Sequence, residues 1–113
     1  MQNYFTDTEM QCKHCGQKGM DENFMEKLNL ARAVAGFPFV VNSGYRCPIH
    51  NRKVGSTTTN HPRGLAADII CEDDDKRFIM VRAMIGVEMS GIGIGHNFVH
   101  CDINHGTPMI WTY

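Results

Sequence analysis

The run Leu65-Ala66-Ala67-Asp68-Ile69-Ile70 sets one carboxylate in the middle of an otherwise apolar stretch. Preceded by Pro62 and Gly64, it reads as a buried strand. A carboxylate in such a strand is costly unless it is paired, hydrogen-bonded or bound to a metal. Any fold for this chain must therefore bring partners to Asp68. His61 lies just upstream, and His100 sits in a second strand-like stretch, Phe98 to Ile103. Taken singly, each has a plainer reading: Asp68 satisfied by backbone amides, His100 a hydrogen-bonded core residue. Taken together, two imidazoles and one carboxylate fill three corners of a tetrahedron and leave the fourth for water. A catalytic zinc has that arrangement, whereas a structural one is closed by four protein ligands.

The rest of the chain predicts an α+β fold: a small, mainly antiparallel sheet with helices packed on one side. Asp21 caps a helix through Ala35, with Phe24, Leu28, Ala31 and Ala35 on one face and Gly36 ending it. Phe37 to Asn42 reads as a strand delivering Ser43 and Arg46, and residues 51–64 as a loop. A second helix is expected from Asp74 to about Met89, with Phe78, Val81, Ile85 and Met89 facing the core. Gly91 to Ile94, Phe98 to Ile103 and Pro108 to Thr112 complete the strands. His100 and Asp102, two apart, emerge on the same face of theirs.

With 113 residues the chain is expected to form one domain, 1–113. Eleven Lys and Arg balance twelve Asp and Glu, and no basic run points to nucleic acid or a membrane surface. No membrane-spanning segment is expected. The first residues, Met1 to Asp7, have neither the basic nor the apolar part of a signal peptide. The protein is expected to be made soluble, so any target outside the cell would need delivery by another route, such as phage lysis. Five cysteines, an odd count, argue against a fully paired secreted framework.

Four ordered blocks carry a resemblance. Ser43-Gly44-Tyr45-Arg46 is followed by N-x-x-V-G at Asn51 to Gly55, by H-x-x-G-x-A-x-D at His61 to Asp68, and by G-I-G…F-V-H-x-D from Gly91 to Asp102. The chain resembles the zinc D-Ala-D-Ala carboxypeptidases and peptidoglycan endopeptidases that share a fold with the hedgehog signalling domain. The resemblance implies a Zn²⁺ ion on His61, Asp68 and His100, and hydrolysis of a peptide bond in bacterial peptidoglycan. It also implies that Arg46, with Ser43, binds or polarises the substrate. A planar, permanently charged guanidinium suits a carboxylate or a developing oxyanion. Asp102 is expected to orient a ligand or a substrate amine. The alternative is a non-catalytic, zinc-stabilised binding module of the same fold.

The chain departs from the family at Asn97, where many members carry a carboxylate that takes the proton from water. His96 and Asp102 are the nearest replacements, with a water acidified by the metal alone as a third route. Elsewhere, Cys12-Lys13-His14-Cys15 forms a C-x-x-C knuckle, and Cys47-Pro48-Ile49-His50 a C-x-x-H pair. Cys12, Cys15, Cys47 and His50 could close a second, structural zinc site. A disulfide, or plain thiols, would use the same residues.

Overall fold

The computed structural model describes residues 3–54 and 60–113. Its elements run α1 (Asp7–Met10), α2 (Glu22–Ala35), β1 (Val41–Ser43), α3 (Pro48–Lys53), β2 (Ala66–Ile70), α4 (Asp74–Gly86), β3 (Gly91–Ile94), β4 (Phe98–Asp102) and β5 (Met109–Thr112). The strands form one sheet in the order β1-β2-β4-β3-β5. All neighbours are antiparallel except β3 and β5. The fold is α+β, as expected.

Helix α2 follows its local signals. The Asp21 carboxylate accepts the Phe24 N–H at 3.0 Å, and Gly36 ends the helix at φ +80°. Phe24, Leu28 and Ala31 are fully buried against the sheet face made by Ala67 and Ile69 of β2, Ile92 of β3, and Val99 and Cys101 of β4. Burial of each large apolar side chain stabilises the fold by roughly 1.5–3 kcal/mol.

Helix α4, which ends at Gly86 rather than near Met89, packs beside α2 with only part of the expected face inward: Met89 is buried and Val81 packs against the core. Met80, Ala83 and Met84 are buried, whereas Phe78 and Ile85 are 67% and 53% exposed. Both sets recur at helical spacing, and the helix has almost no amphipathic bias, so periodicity alone does not choose between them. Close contact with α2 selects the face with the small Ala83 and the pliable methionines.

Two further expectations change. The strand over Phe37 to Asn42 shrinks to Val41–Ser43: Pro38 has no N–H to give a ladder, and the segment's pairing with β2 begins only with Val40, whose carbonyl accepts Ile70 N–H at 2.8 Å. The loop over 51–64 begins as the end of α3, and its residues 55–59 lie outside the described ones. Among the described residues, no helix is long and apolar enough to cross a membrane.

The N-terminal arm is tied down despite its scant regular structure. Thr6 and Glu9 make a capping box on α1, and Asn29 of α2 accepts the Tyr4 N–H at 2.6 Å. Tyr45 N–H then donates to the Met10 carbonyl at 2.8 Å, joining the arm to the segment after β1.

Candidate metal centre

Alternation along the strands divides the sheet into a helix-covered face and an open one. On the open face, register sets Asp68 of β2 opposite His100 of β4, His100 opposite Gly93 of β3, and Gly93 opposite Trp111 of β5. The next row is Ala66, Asp102, Gly91 and Met109. Both β3 residues on this face are glycines, and each makes room. A Cβ at Gly93 would stand 2.7 Å from Trp111 Nε1, and one at Gly91 would collide with the Asp102 carboxylate and with His105. The indole thus lies against the His100 ring, with centroids 5.4 Å apart. The glycine-isoleucine-glycine pattern is a strand with its site face left bare.

His61 reaches this face from the turn before β2. Its Nδ1 donates to the Gly44 carbonyl at 2.7 Å, which fixes the tautomer and leaves Nε2 as the free lone pair. That Nε2 is buried, without a hydrogen-bond partner, and 3.6 Å from Asp68 Oδ1. His100 Nδ1 lies 2.9 Å from the same carboxylate oxygen. Ligand atoms of His61, Asp68 and His100 all lie within 4.8 Å of one another. An orphaned buried nitrogen is costly. A cation shared with Asp68 and His100 removes that cost, so the residues fit a zinc ion held by two imidazoles and a carboxylate.

Behind His100 stands a hydrogen-bonded support. Its Nε2 donates to Asp102 Oδ2 at 2.7 Å, the carboxylate–histidine arrangement that orients metal-binding imidazoles. Asp102 is completely buried, and each of its oxygens meets two donors. Oδ2 also receives Asn60 Nδ2 at 3.3 Å; Oδ1 receives Asn104 N–H at 3.0 Å and His105 Nδ1 at 2.8 Å. Burial would raise the Asp68 carboxyl, but the hydrogen bond from His100 and the nearby imidazole of His61 outweigh it and hold the group below its ordinary range. Burial likewise opposes charge on His100, yet Asp102 and Asp68 outweigh it and raise the imidazole to about 9. In the metal-free protein His100 therefore carries its proton between two carboxylates, and a metal bound there would displace that proton.

The cleft above these groups, about 570 Å³, is lined by Arg46, Asn60, His105, Phe98, Trp111 and Tyr113 as well as the three central residues. Arg46 Nη2 stands 3.8 Å from Asp68 Oδ2, and its buried Nε has no partner. Ser43 pairs with Asp68 across β1 and β2 but does not line the cleft. His96 is exposed and borders a separate hollow with Glu72, Asp74, Arg77 and Asn97, so the structure does not bring it to the site. Asn97 is exposed on the same turn, and its carbonyl accepts Cys71 N–H. Asp102, enclosed by its four donors, has no open face to substrate. A hollow of about 520 Å³ between the arm and α2 contains no histidine or cysteine.

His105 was not singled out from the sequence. It follows β4 in an irregular segment where no periodicity applies, and only its place near F-V-H-x-D could have drawn notice. In the fold it lines the cleft, tilted against Trp111 with centroids 5.4 Å apart and held through Nδ1 by Asp102.

The family model of peptidase M15 matches residues 3–102. No curated protein matches the chain.

Proposed function

The chain belongs to the peptidase M15 family, whose members are zinc-dependent, and from that premise we propose that it is a metallopeptidase that hydrolyses a peptide bond of bacterial peptidoglycan. The observation that carries this reading is the unpartnered, buried His61 Nε2 converging with His100 Nδ1 and Asp68 Oδ1. His61, Asp68 and His100 would hold the zinc. When bound, zinc supplies Lewis acidity, polarising the scissile carbonyl and making water nucleophilic near neutral pH.

The remaining work falls to the chain's own side chains. Asp102 accepts from His100 Nε2 and so presents Nδ1 to the site. Gly44 does the same for His61 from the backbone. Arg46, beside Asp68 at the cleft wall, is placed to hold a substrate carboxylate or a developing oxyanion. His105 replaces His96 and Asp102 as the residue for proton transfer. Asp102 holds its Nδ1, leaving Nε2 as the ring nitrogen to take a proton from water and return it to the leaving amine.

The walls suggest what enters. Phe98, Met109, Trp111 and Tyr113 make them apolar, and Arg46 supplies a guanidinium. Such a cleft suits a short peptide with small apolar side chains and a carboxylate, as at the D-Ala-D-Ala end of a stem peptide. The competing reading, a non-catalytic binding module, would draw support from Asn97 standing where many members carry a carboxylate; that residue stands away from the cleft.

Digestion of purified peptidoglycan with and without a chelator tests the proposal, with products identified by mass spectrometry. Free D-alanine would indicate carboxypeptidase action, and shortened stem peptides endopeptidase action. No product from folded, zinc-loaded protein would refute the enzyme reading in favour of the binding module.

A further inference from the structure

A second cluster of metal-binding atoms lies outside the cleft and shares no residue with it. The sulfurs of Cys12, Cys15 and Cys47 all lie within 4.8 Å of one another. His14 Nδ1 is 3.7 Å from Cys47 Sγ. With zinc–sulfur and zinc–nitrogen bonds of about 2.3 and 2.0 Å, a tetrahedral site has ligand-to-ligand edges of roughly 3.5–3.8 Å. The imidazole–thiol spacing matches one such edge; the three sulfurs alone lie mutually within 4.8 Å, and a turn of the exposed His14 ring would complete the tetrahedron. None of the five cysteines is in a disulfide.

The backbone around the cluster is folded for thiolates. Gly16 N–H closes a tight turn on the Cys12 carbonyl at 2.7 Å, and Cys12 N–H donates to the Gln17 carbonyl at 2.9 Å. Cys47 N–H points at Cys12 Sγ at 3.4 Å. The side chain of His50, expected as the fourth ligand, lies outside the described residues.

We propose that Cys12, Cys15, Cys47 and His14 bind a second, structural zinc ion that clasps the N-terminal arm to the segment carrying Arg46. Four protein ligands leave no position for water, so the clasp has no catalytic part. Its effect reaches the cleft through the chain. Cys47 follows Arg46 directly, and Gly44, three residues before Cys47, provides the carbonyl that fixes His61. The arm backs this segment through the Tyr45–Met10 hydrogen bond. A small domain with an irregular arm gains most from such a staple.

Cobalt substitution and metal analysis of the full chain test the clasp. The cleft has no cysteine, so a thiolate-to-cobalt charge-transfer band in the wild-type protein reads the clasp alone. That band is expected, with two zinc ions per chain in the wild type and one in His61→Ala/His100→Ala. Cys15 is exposed, so Cys15→Ser leaves the core untouched. It should abolish the band and lower zinc affinity at this site by more than the ~10–100-fold that losing an outer hydrogen-bond partner costs. His14→Ala should weaken the band's metal affinity while His50→Ala leaves it unchanged. Absence of the band, its persistence in Cys15→Ser, or a Cys12–Cys47 disulfide in freshly purified protein would overturn the clasp. Loss of the band in His50→Ala with His14→Ala normal would overturn His14 as the fourth ligand. Failure of peptidoglycan hydrolysis would leave each of these readouts intact.

Discussion

Replacing Asp102 by Asn changes one atom and removes the group that aims His100. In the native protein both carboxylate oxygens accept two hydrogen bonds, Oδ2 from His100 Nε2 and Asn60, Oδ1 from His105 Nδ1 and Asn104 N–H. Whichever way the new amide turns, its NH₂ opposes two donors. Because Asp102 is completely buried, no solvent can take up the mismatch. Leaving buried donors unsatisfied costs about 1–3 kcal/mol. Outer partners of metal-bound histidines are worth about 10–100-fold in metal affinity, or about 1.4–2.7 kcal/mol. Asp102→Asn should therefore raise the zinc dissociation constant of the cleft 10–100-fold and lower the melting temperature. Competition against a chromophoric chelator, in a Cys15→Ser background so that only the cleft is read, measures the first effect. A folded variant whose affinity stays within about threefold of the parent would refute the idea that Asp102 orients His100.

Arg46→Ala should lower peptide hydrolysis by about 10²–10³, the usual cost of one oxyanion-holding donor. Zinc content and melting temperature should barely change, and normal turnover would confine Arg46 to its ion pair with Asp68. His105→Gln should lower kcat by about 10²–10⁴, with zinc retained and the pH–rate profile altered. His96→Ala should be normal, and the reverse pattern in steady-state kinetics would return the proton-transfer role to His96. In chelator-treated protein, His100 contributes stability that is full below its unfolded value of about 6.5 and is lost as pH rises through about 9. Asp68 and Asp102, both held low, contribute above about pH 4 and lose that contribution in acid. Metal-free melts should thus decline between pH 6.5 and about 9.5 by at most about 3 kcal/mol, a decline that zinc abolishes because it displaces the proton. A flat metal-free profile would mean that His100 is neutral throughout.

Where several local signals agreed, the sequence was enough. Helix α2 has a capping carboxylate, an apolar stripe and a terminal glycine, and all three act as they read. In α4 the element was legible but its orientation only in part: Val81 reaches the core, yet Phe78 and Ile85 repeat as regularly as Met80, Ala83 and Met84, and only packing on α2 separates them. Asp68 announced itself by its cost, a carboxylate in an apolar strand. What surrounds it depends on cross-strand register, which no local pattern contains. Gly91 and Gly93 read as strand residues, but their purpose appears only when Asp102 and Trp111 are seen filling the space above them. His105 escaped for the same reason: it reaches the cleft through a turn, and its partner Asp102 faces inward from the preceding strand.

We propose that His61, Asp68 and His100 together hold one metal ion. Crystals grown with zinc and measured at the zinc absorption edge locate the ion without reference to activity. An anomalous peak is expected at about 2.0–2.2 Å from His61 Nε2, His100 Nδ1 and an Asp68 oxygen, with His100 Nε2 still on Asp102. No peak between these residues, or a zinc ion held by His100 through Nε2 with Asp102 turned away, would contradict it.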